Sequence, residues 1–422
     1  MIQEWLECIT CHAQYDATEV HYTCSKCQGL LAVERPATWH QGLTTALWDG
    51  RLSSRNALDD SGVWRFREAV MNVPAATVVS HPEGRTRLYS RPALSRFANV
   101  EALHFKHEGE NPTGSFKDRG MTVATTQARR VGARAVACAS TGNTSASLAA
   151  YAAQAGLTSL VFVPAGKITV SKMAQTVAYG ARVVKVRGDF DAAMDLVRKA
   201  CDALGIYLLN SVNAFRIEGQ KTIVWELLQD LQWNAPDWIA VPAGNLGNTS
   251  AFGKALKEAS DAGWIKKIPR IASIQASNAN PFFLSYSGGF ATRHKVKAET
   301  VASAIRIGDP VSYDKARAAI EFTRGVVAQV SDEELLRAKR EIDGAGIGCE
   351  PASACSLAGT RILREQGVIK PGESVVCVLT GHVLKDPDVI MQHVAGTDPL
   401  ESRMVEVDAD LASVERALKP WL

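Results

Sequence analysis

The stretch AVACASTGNTSASLAAYAAQAGLTSLVFV, residues 135–163, decides the reading of the fold. Ala135–Ala139 is a short apolar run of strand length, and Asn143–Ala155 is an Ala-rich helical stretch that Gly156 ends. Residues 160–163 are apolar again, and Pro164 and Gly166 stop them quickly. Working outward, residues 116–130 place Met121, Ala124 and Ala128 at helical spacing before Gly132. Residues 171–179 read as helix ended by Gly180, 183–186 as strand, 191–204 as helix and 207–209 as strand. Four strands alternating with helices call for a parallel sheet with right-handed crossovers. The pattern resumes with strands at 238–241, 271–275 and 374–379.

The expected fold class is therefore α/β, with two parallel-sheet α/β domains and a ligand cleft between them at the carboxyl ends of the strands. The chain has 422 residues, beyond the size at which one core keeps growing. We expect a zinc-ribbon-like appendage over 1–35, a large domain from 36–110 and 211–422, and a small domain over 111–210. Residues 36–90, with Trp39, Trp48 and Trp64, read as helices and connections packed on the body. The tail from Met404 ends in a helical pattern reaching Leu418.

The 47 basic and 44 acidic residues leave a net charge of +3, which gives no reason to expect nucleic acid or an anionic membrane as partner. The start of the chain lacks a basic-plus-apolar leader pattern, and no apolar run approaches the ~18 residues of a spanning helix. A cytoplasmic location is the expectation. Of nine cysteines, four fall within residues 8–27 as Cys8-x2-Cys11 and Cys24-x2-Cys27. Two close pairs let four thiolates converge tetrahedrally, so structural zinc is expected, with free buried cysteines as the alternative. His12 or His21 could replace one thiolate. Lys26 is the only Lys or Arg in that segment, which argues against a nucleic-acid-binding ribbon.

Four short motifs carry the chemistry. In Asn111-Pro-Thr-Gly-Ser-Phe-Lys-Asp-Arg-Gly120, Lys117 starts a helix, where the positive end of the dipole disfavours a cation and lowers its pKa. A solvated surface lysine is the alternative reading. Ser140-Thr-Gly-Asn-Thr-Ser145 lies between strand and helix and reads as an anion site or as simple capping. Val241-Pro-Ala-Gly-Asn-Leu-Gly-Asn-Thr249 is a Gly-rich strand-to-helix loop able to turn backbone amides onto a phosphate. It is neither the dinucleotide fingerprint nor a P-loop. Leu379-Thr-Gly-His-Val-Leu-Lys-Asp-Pro387 follows the last strand, where a hydroxyl can meet a heteroaromatic nitrogen or merely make a turn.

In this order the four motifs resemble the fold-type-II pyridoxal-phosphate enzymes, which include tryptophan synthase β and threonine dehydratase. Within that group the chain is most similar to the threonine synthases. Val63–Glu68, Val177–Ala181, Gly188–Asp191, Asn210–Arg216, Ile305–Pro310 and Cys349–Ala354 agree as well, so the resemblance spans roughly 63–390. It implies a lyase of threonine biosynthesis that converts O-phospho-L-homoserine and water to L-threonine and phosphate by β,γ-replacement. It also implies a homodimer. Lys117 would hold the cofactor covalently and shuttle protons. Asn143 would lie beside the phenolic oxygen, Gly244, Asn245, Leu246, Gly247 and Asn248 would cradle the cofactor phosphate, and Thr380 would face the ring nitrogen. A neutral hydroxyl there would leave that nitrogen unprotonated. Ser140, Thr141, Thr144, Asn210, Ser211, Arg216 and Asn245 would bind the substrate, a small phosphorylated amino acid. The sibling reading is a synthase acting on O-phosphoserine, such as cysteate synthase, or a serine/threonine dehydratase. A non-catalytic protein keeping the fold is the reading of another class. The chain departs from the family pattern at Arg87, Val383 and Cys349.

Overall fold

The computed structural model describes residues 3–166, 170–188, 190–389 and 405–420. Met404 and Asp189, both within stretches quoted above, lie outside the described residues. The chain forms two compact units, Met1–Lys385 and Asp386–Leu422. The second contains the helix Leu411–Leu418, whose start is capped by Asp410 accepting from Ser413 N at 2.9 Å.

In the first unit, β1 (Trp5–Cys8) pairs antiparallel with β2 (Gln14–Asp16) and β3 (Leu31–Glu34). The body then supplies β4 (Leu88–Tyr89), β5 (Leu103–His107), β6 (Ala135–Ala139), β7 (Thr158–Pro164), β8 (Arg182–Val186) and β9 (Tyr207–Leu208). The last strands are β10 (Trp238–Pro242), β11 (Arg270–Ala276), β12 (Val326–Val330) and β13 (Val375–Leu379). They form a six-stranded sheet in the order β12-β11-β10-β13-β5-β4 and a four-stranded sheet in the order β8-β7-β6-β9. All pairings in these two sheets are parallel except β4 with β5.

Both faces of the central strands are covered, which is why β6, β10 and β13 read as continuous apolar runs. Val136 and Cys138 of β6 pack with Met121, Leu148 and Tyr151, while Ala137 and Ala139 face Val197 and Cys201 on the other side. The same alternation divides β10, with Ile239 and Val241 in one core and Trp238 and Ala240 in the other. Residues 36–90 contribute short helices, among them Thr45–Arg51 and Arg67–Val70. Trp48 is fully buried there, parallel to Trp225 and edge-on to Trp264 at 4.3 Å. The N-terminal sheet is tied to the body by Arg35 on Glu218 (2.9 Å), Gln127 Nε2 on the Ala17 carbonyl (2.6 Å) and Leu208 N on Tyr22 Oη (2.7 Å).

Candidate active site

The helix Lys117–Arg130 and the helix Ala214–Gln220 cross with their backbones nearly touching. A Cβ on Gly219 would sit 1.7 Å from the Arg119 carbonyl oxygen, and one on Gly120 would lie 3.0 Å from that of Arg216. Only glycines permit this approach, and it sets Arg216 within electrostatic reach of Lys117. Behind the crossing, Arg119 is fully buried in a charged cluster. Its guanidinium donates to Glu108 at 2.6 and 2.7 Å and to Glu226 at 2.7 Å, and Glu226 also receives Arg65 and Lys106. The paired charges hold the helix that carries Lys117 against the six-stranded sheet, which β5 supplies with Lys106. Sequence reading did not single out this cluster, because its members are spread from Arg65 to Glu226.

Lys117 is half-buried, with its ammonium 4.1 Å from the centre of the Phe116 ring. Burial lowers its pKa to about 7; Arg216 pushes the same way and Glu350 opposes. Helix-end position was the expected cause, and loss of solvent is the larger one. The turn before the helix is pinned by Asp118, which accepts from Thr113 N (2.7 Å), Thr113 Oγ1 (2.6 Å) and Ser147 Oγ (2.5 Å). Burial raises the Asp118 carboxyl to about 6. Phe116 N donates to the Thr380 carbonyl at 3.0 Å, so the loop after β13 is tied directly to Lys117.

Glu350, fully buried before the helix Pro351–Glu365, joins two residues that sequence reading placed at the cofactor. It accepts from Asn143 Nδ2 at 2.8 Å and from Thr380 Oγ1 at 2.9 Å. Burial raises its pKa against these bonds and against Lys117 and Lys385. Sequence reading quoted Glu350 within a stretch of resemblance but gave it no role. Val383 lies against Gly348, within 3.2 Å of where a Cβ would stand. Arg87 lends its carbonyl to His107 N beside the edge of β5.

At the end of β10, Leu246 adopts φ 63° and the helix Gly247–Asp261 starts with no side-chain cap. Its first N–H groups are therefore open to an anion. A Cβ on Gly244 would meet Ile305 Cα at 2.9 Å, and one on Gly247 would lie 3.2 Å from Gln220 Oε1. Asn248 Oδ1 and Gln220 Oε1, both acceptors, are buried here without partners, so the donors this loop offers an anion are its backbone N–H groups. Asn245 accepts from Val311 N through its side chain (3.3 Å) and from Ser312 N through its carbonyl (3.2 Å). These features fit a phosphate-bearing cofactor.

The helix Asn143–Ala155 also begins without a side-chain cap, leaving Ser140, Thr141 and Thr144, all half-buried, around its open N–H groups. Asn210 clasps the end of β6, accepting from Ala139 N at 3.0 Å and donating to the Ala139 carbonyl at 3.4 Å. Ser211 beside it is half-buried. Arg216 is 3% exposed and donates to the Leu209 carbonyl at 3.3 Å, yet its Nε has no partner and no acid among the described residues pairs with it. Burial brings its pKa down to about 10. An unneutralised buried guanidinium is a site in want of an anion.

Apart from this centre, the sulfurs of Cys8, Cys11, Cys24 and Cys27 lie within 4.8 Å of one another. His12 points to Glu7 (3.1 Å) and His21 to Glu19 (2.8 Å), so neither joins the thiols. Four sulfurs so close suit tetrahedral zinc. Among the described residues, no helix is long and apolar enough to cross a membrane.

The family described as pyridoxal-phosphate dependent enzyme matches residues 79–381, a range that runs from before Lys117 to just past Thr380. The threonine synthase of Methanocaldococcus jannaschii is 42% identical over 420 residues, covering 98% of each chain. That of Methanosarcina acetivorans is 43% identical over 415 residues, again covering 98% of both. Among solved structures, Escherichia coli threonine synthase superposes with a TM-score of 0.67 at 19% identity, covering 98% of this chain and 94% of that one. Tomato (Solanum lycopersicum) threonine deaminase isoform 2 gives 0.63 at 18% identity, covering 85% and 92%. These likenesses show the fold.

Proposed function

This chain belongs to the threonine synthase family of pyridoxal-phosphate-dependent enzymes, a family of lyases, and from that premise we propose how its residues divide the work. The reaction converts O-phospho-L-homoserine and water to L-threonine and phosphate. Pyridoxal phosphate supplies the electron sink for the bond broken at the amino acid's Cα. Lys117 is the catalytic amine and the covalent anchor. With a pKa near 7 it is present in both protonation states at neutral pH, so one group takes a proton from carbon and later returns one.

Gly244, Asn245, Leu246, Gly247 and Asn248 hold the cofactor phosphate at the uncapped helix start. Asn143 and Thr380 take the ring oxygen and ring nitrogen. Ser140, Thr141 and Thr144 hold the substrate carboxylate at a second open helix end, and Asn210, Ser211, Asn245 and Arg216 hold its phosphate. The observation that carries this reading is the unpaired guanidinium of Arg216 beside Lys117. It favours a doubly anionic, phosphorylated amino acid over the unphosphorylated substrate of a dehydratase.

The strands of the four-stranded sheet all fall within 111–210, which supports reading that stretch as a small domain, with 36–110 and 211–422 as the large one. The four thiols support a structural zinc with no open coordination position. A cytoplasmic homodimer follows from the family resemblance. Lys117→Ala tests the catalytic assignment. The variant is expected to lose turnover and the absorbance of the lysine-bound cofactor; retained threonine formation would sink it.

A further inference from the structure

Lys385 ends the turn that follows β13, half-buried and within electrostatic reach of the carboxyls of Asp118 and Glu350. Both acids are already engaged, Asp118 by Thr113 and Ser147, Glu350 by Asn143 and Thr380. The Lys385 ammonium instead donates to Gln175 Oε1 at 2.6 Å. Gln175 stands on the helix Val170–Ala178, which lies between β7 and β8 in the chain. Its amide is set for this bond, because Nε2 donates to Tyr179 Oη at 3.4 Å and leaves Oε1 for Lys385. The stem of Lys385 runs across Gly114, where a Cβ would stand 2.9 Å from Lys385 Cε. Gly114, at φ 85°, thus opens the path of this side chain.

The two ends of the bond belong to opposite sides of the centre. On one side, the turn after β13 is stitched to the turn before Lys117. Phe116 N donates to the Thr380 carbonyl at 3.0 Å, and His382 N donates to the Gly114 carbonyl at 2.9 Å. On the other side, Thr176 Oγ1 donates to Ser145 Oγ at 3.1 Å, and Ser145 Oγ donates to the Gly142 carbonyl at 2.8 Å. Met173 packs with Leu148 and Ala149 between the same two helices. Gly142 and Ser145 belong to the turn that carries Ser140, Thr141 and Thr144. A continuous run of contacts therefore leads from the turn before Lys117, through Lys385 and Gln175, to the open helix start.

We propose that Lys385 is a positioning residue that, through Gln175, sets the turn 140–145 at its working distance from Lys117. The proposal rests on the reading that this turn holds the substrate carboxylate. In this role Lys385 touches no substrate. Its bond stands before substrate arrives, so losing it weakens ground-state and transition-state binding alike, which raises KM and leaves kcat. A single hydrogen bond from an ammonium sets the scale at about tenfold in KM.

The test takes the full, cofactor-loaded chain as wild type, Lys385→Met, Gln175→Ala and the double variant. Amide hydrogen exchange follows the first turns of the helix Asn143–Ala155, and steady-state kinetics with O-phospho-L-homoserine gives KM and kcat separately. Each single variant is expected to exchange faster there and to raise KM about tenfold, with kcat within about twofold. The double variant is expected to match the singles, because all three lose the same bond. Lys385→Arg, which keeps a donor within reach of Gln175, is expected to return both readouts toward wild type. A Gln175→Ala protein with wild-type exchange and KM, or losses that multiply in the double variant, overturns the proposal. Should Lys385→Met fail to fold, Gln175→Ala carries the same expectation from the other end of the bond. A wild type that leaves O-phospho-L-homoserine untouched defeats the underlying reading alone, since the exchange comparison needs no substrate.

Discussion

Replacing Arg216 with Met separates the needs of the fold from those of the substrate. In the free protein the guanidinium is buried, makes one bond to the Leu209 carbonyl at 3.3 Å and leaves Nε unsatisfied. The fall of its pKa to about 10 corresponds to about 3 kcal/mol against the charged form. At neutral pH, Arg216 is charged in both folded and unfolded chains, so the whole penalty is present; it is lost only as pH rises through the folded value and above. Removing the charge recovers that penalty and forfeits a hydrogen bond worth about 1 kcal/mol. The cofactor-free Arg216→Met protein is therefore expected to be more stable in urea by about 1–2 kcal/mol. Turnover moves the other way. Two charge-assisted bonds to a substrate phosphate are worth roughly 3–5 kcal/mol, so kcat/KM should fall by a factor on the order of a thousand. A variant that is destabilised and keeps kcat/KM within about threefold of the parent would refute the reasoning.

Gly219→Ala drives a Cβ to 1.7 Å from the Arg119 carbonyl and should cost about 3 kcal/mol or more in denaturant unfolding, with loss of activity as the two helices part. Cys24→Ser should bring zinc, measured by metal analysis, well below one per chain, whereas His12→Ala, whose ring is turned to Glu7, should leave it unchanged.

Much of this was legible in the chain because buried parallel strands are short apolar runs, and β6, β7, β10 and β13 all carry that mark. β12 went unread although its VVAQV run is no more interrupted than the RVVKV of β8 or the RIASIQA of β11, and β4 is a two-residue antiparallel edge with no pattern of its own. Lys117 was identifiable from its turn, but the reason for its lowered pKa was not. Helix-end position is visible in sequence, while burial and the approach of Arg216 depend on Gly120 and Gly219 meeting across a helix crossing. Glu350 was hidden for a similar reason. An acid before a proline reads as an ordinary helix start, and only the fold brings Asn143 from one sheet and Thr380 from the other onto its two oxygens. Asn210 shows the converse, since a residue chosen for the substrate also fastens the end of β6 through its amide.

The central claim is the identity of the reaction, and one experiment addresses it directly. Phosphoserine differs from phosphohomoserine by one methylene, worth only ~1–3 kcal/mol of discrimination, so the two substrates must be compared side by side. The purified, cofactor-loaded protein is incubated with O-phospho-L-homoserine and, in parallel, with O-phospho-L-serine, and the amino acid and phosphate released are quantified together. Threonine and phosphate in equal amounts from the first alone is the result the account predicts. Silence there, with phosphate released from phosphoserine, would contradict it.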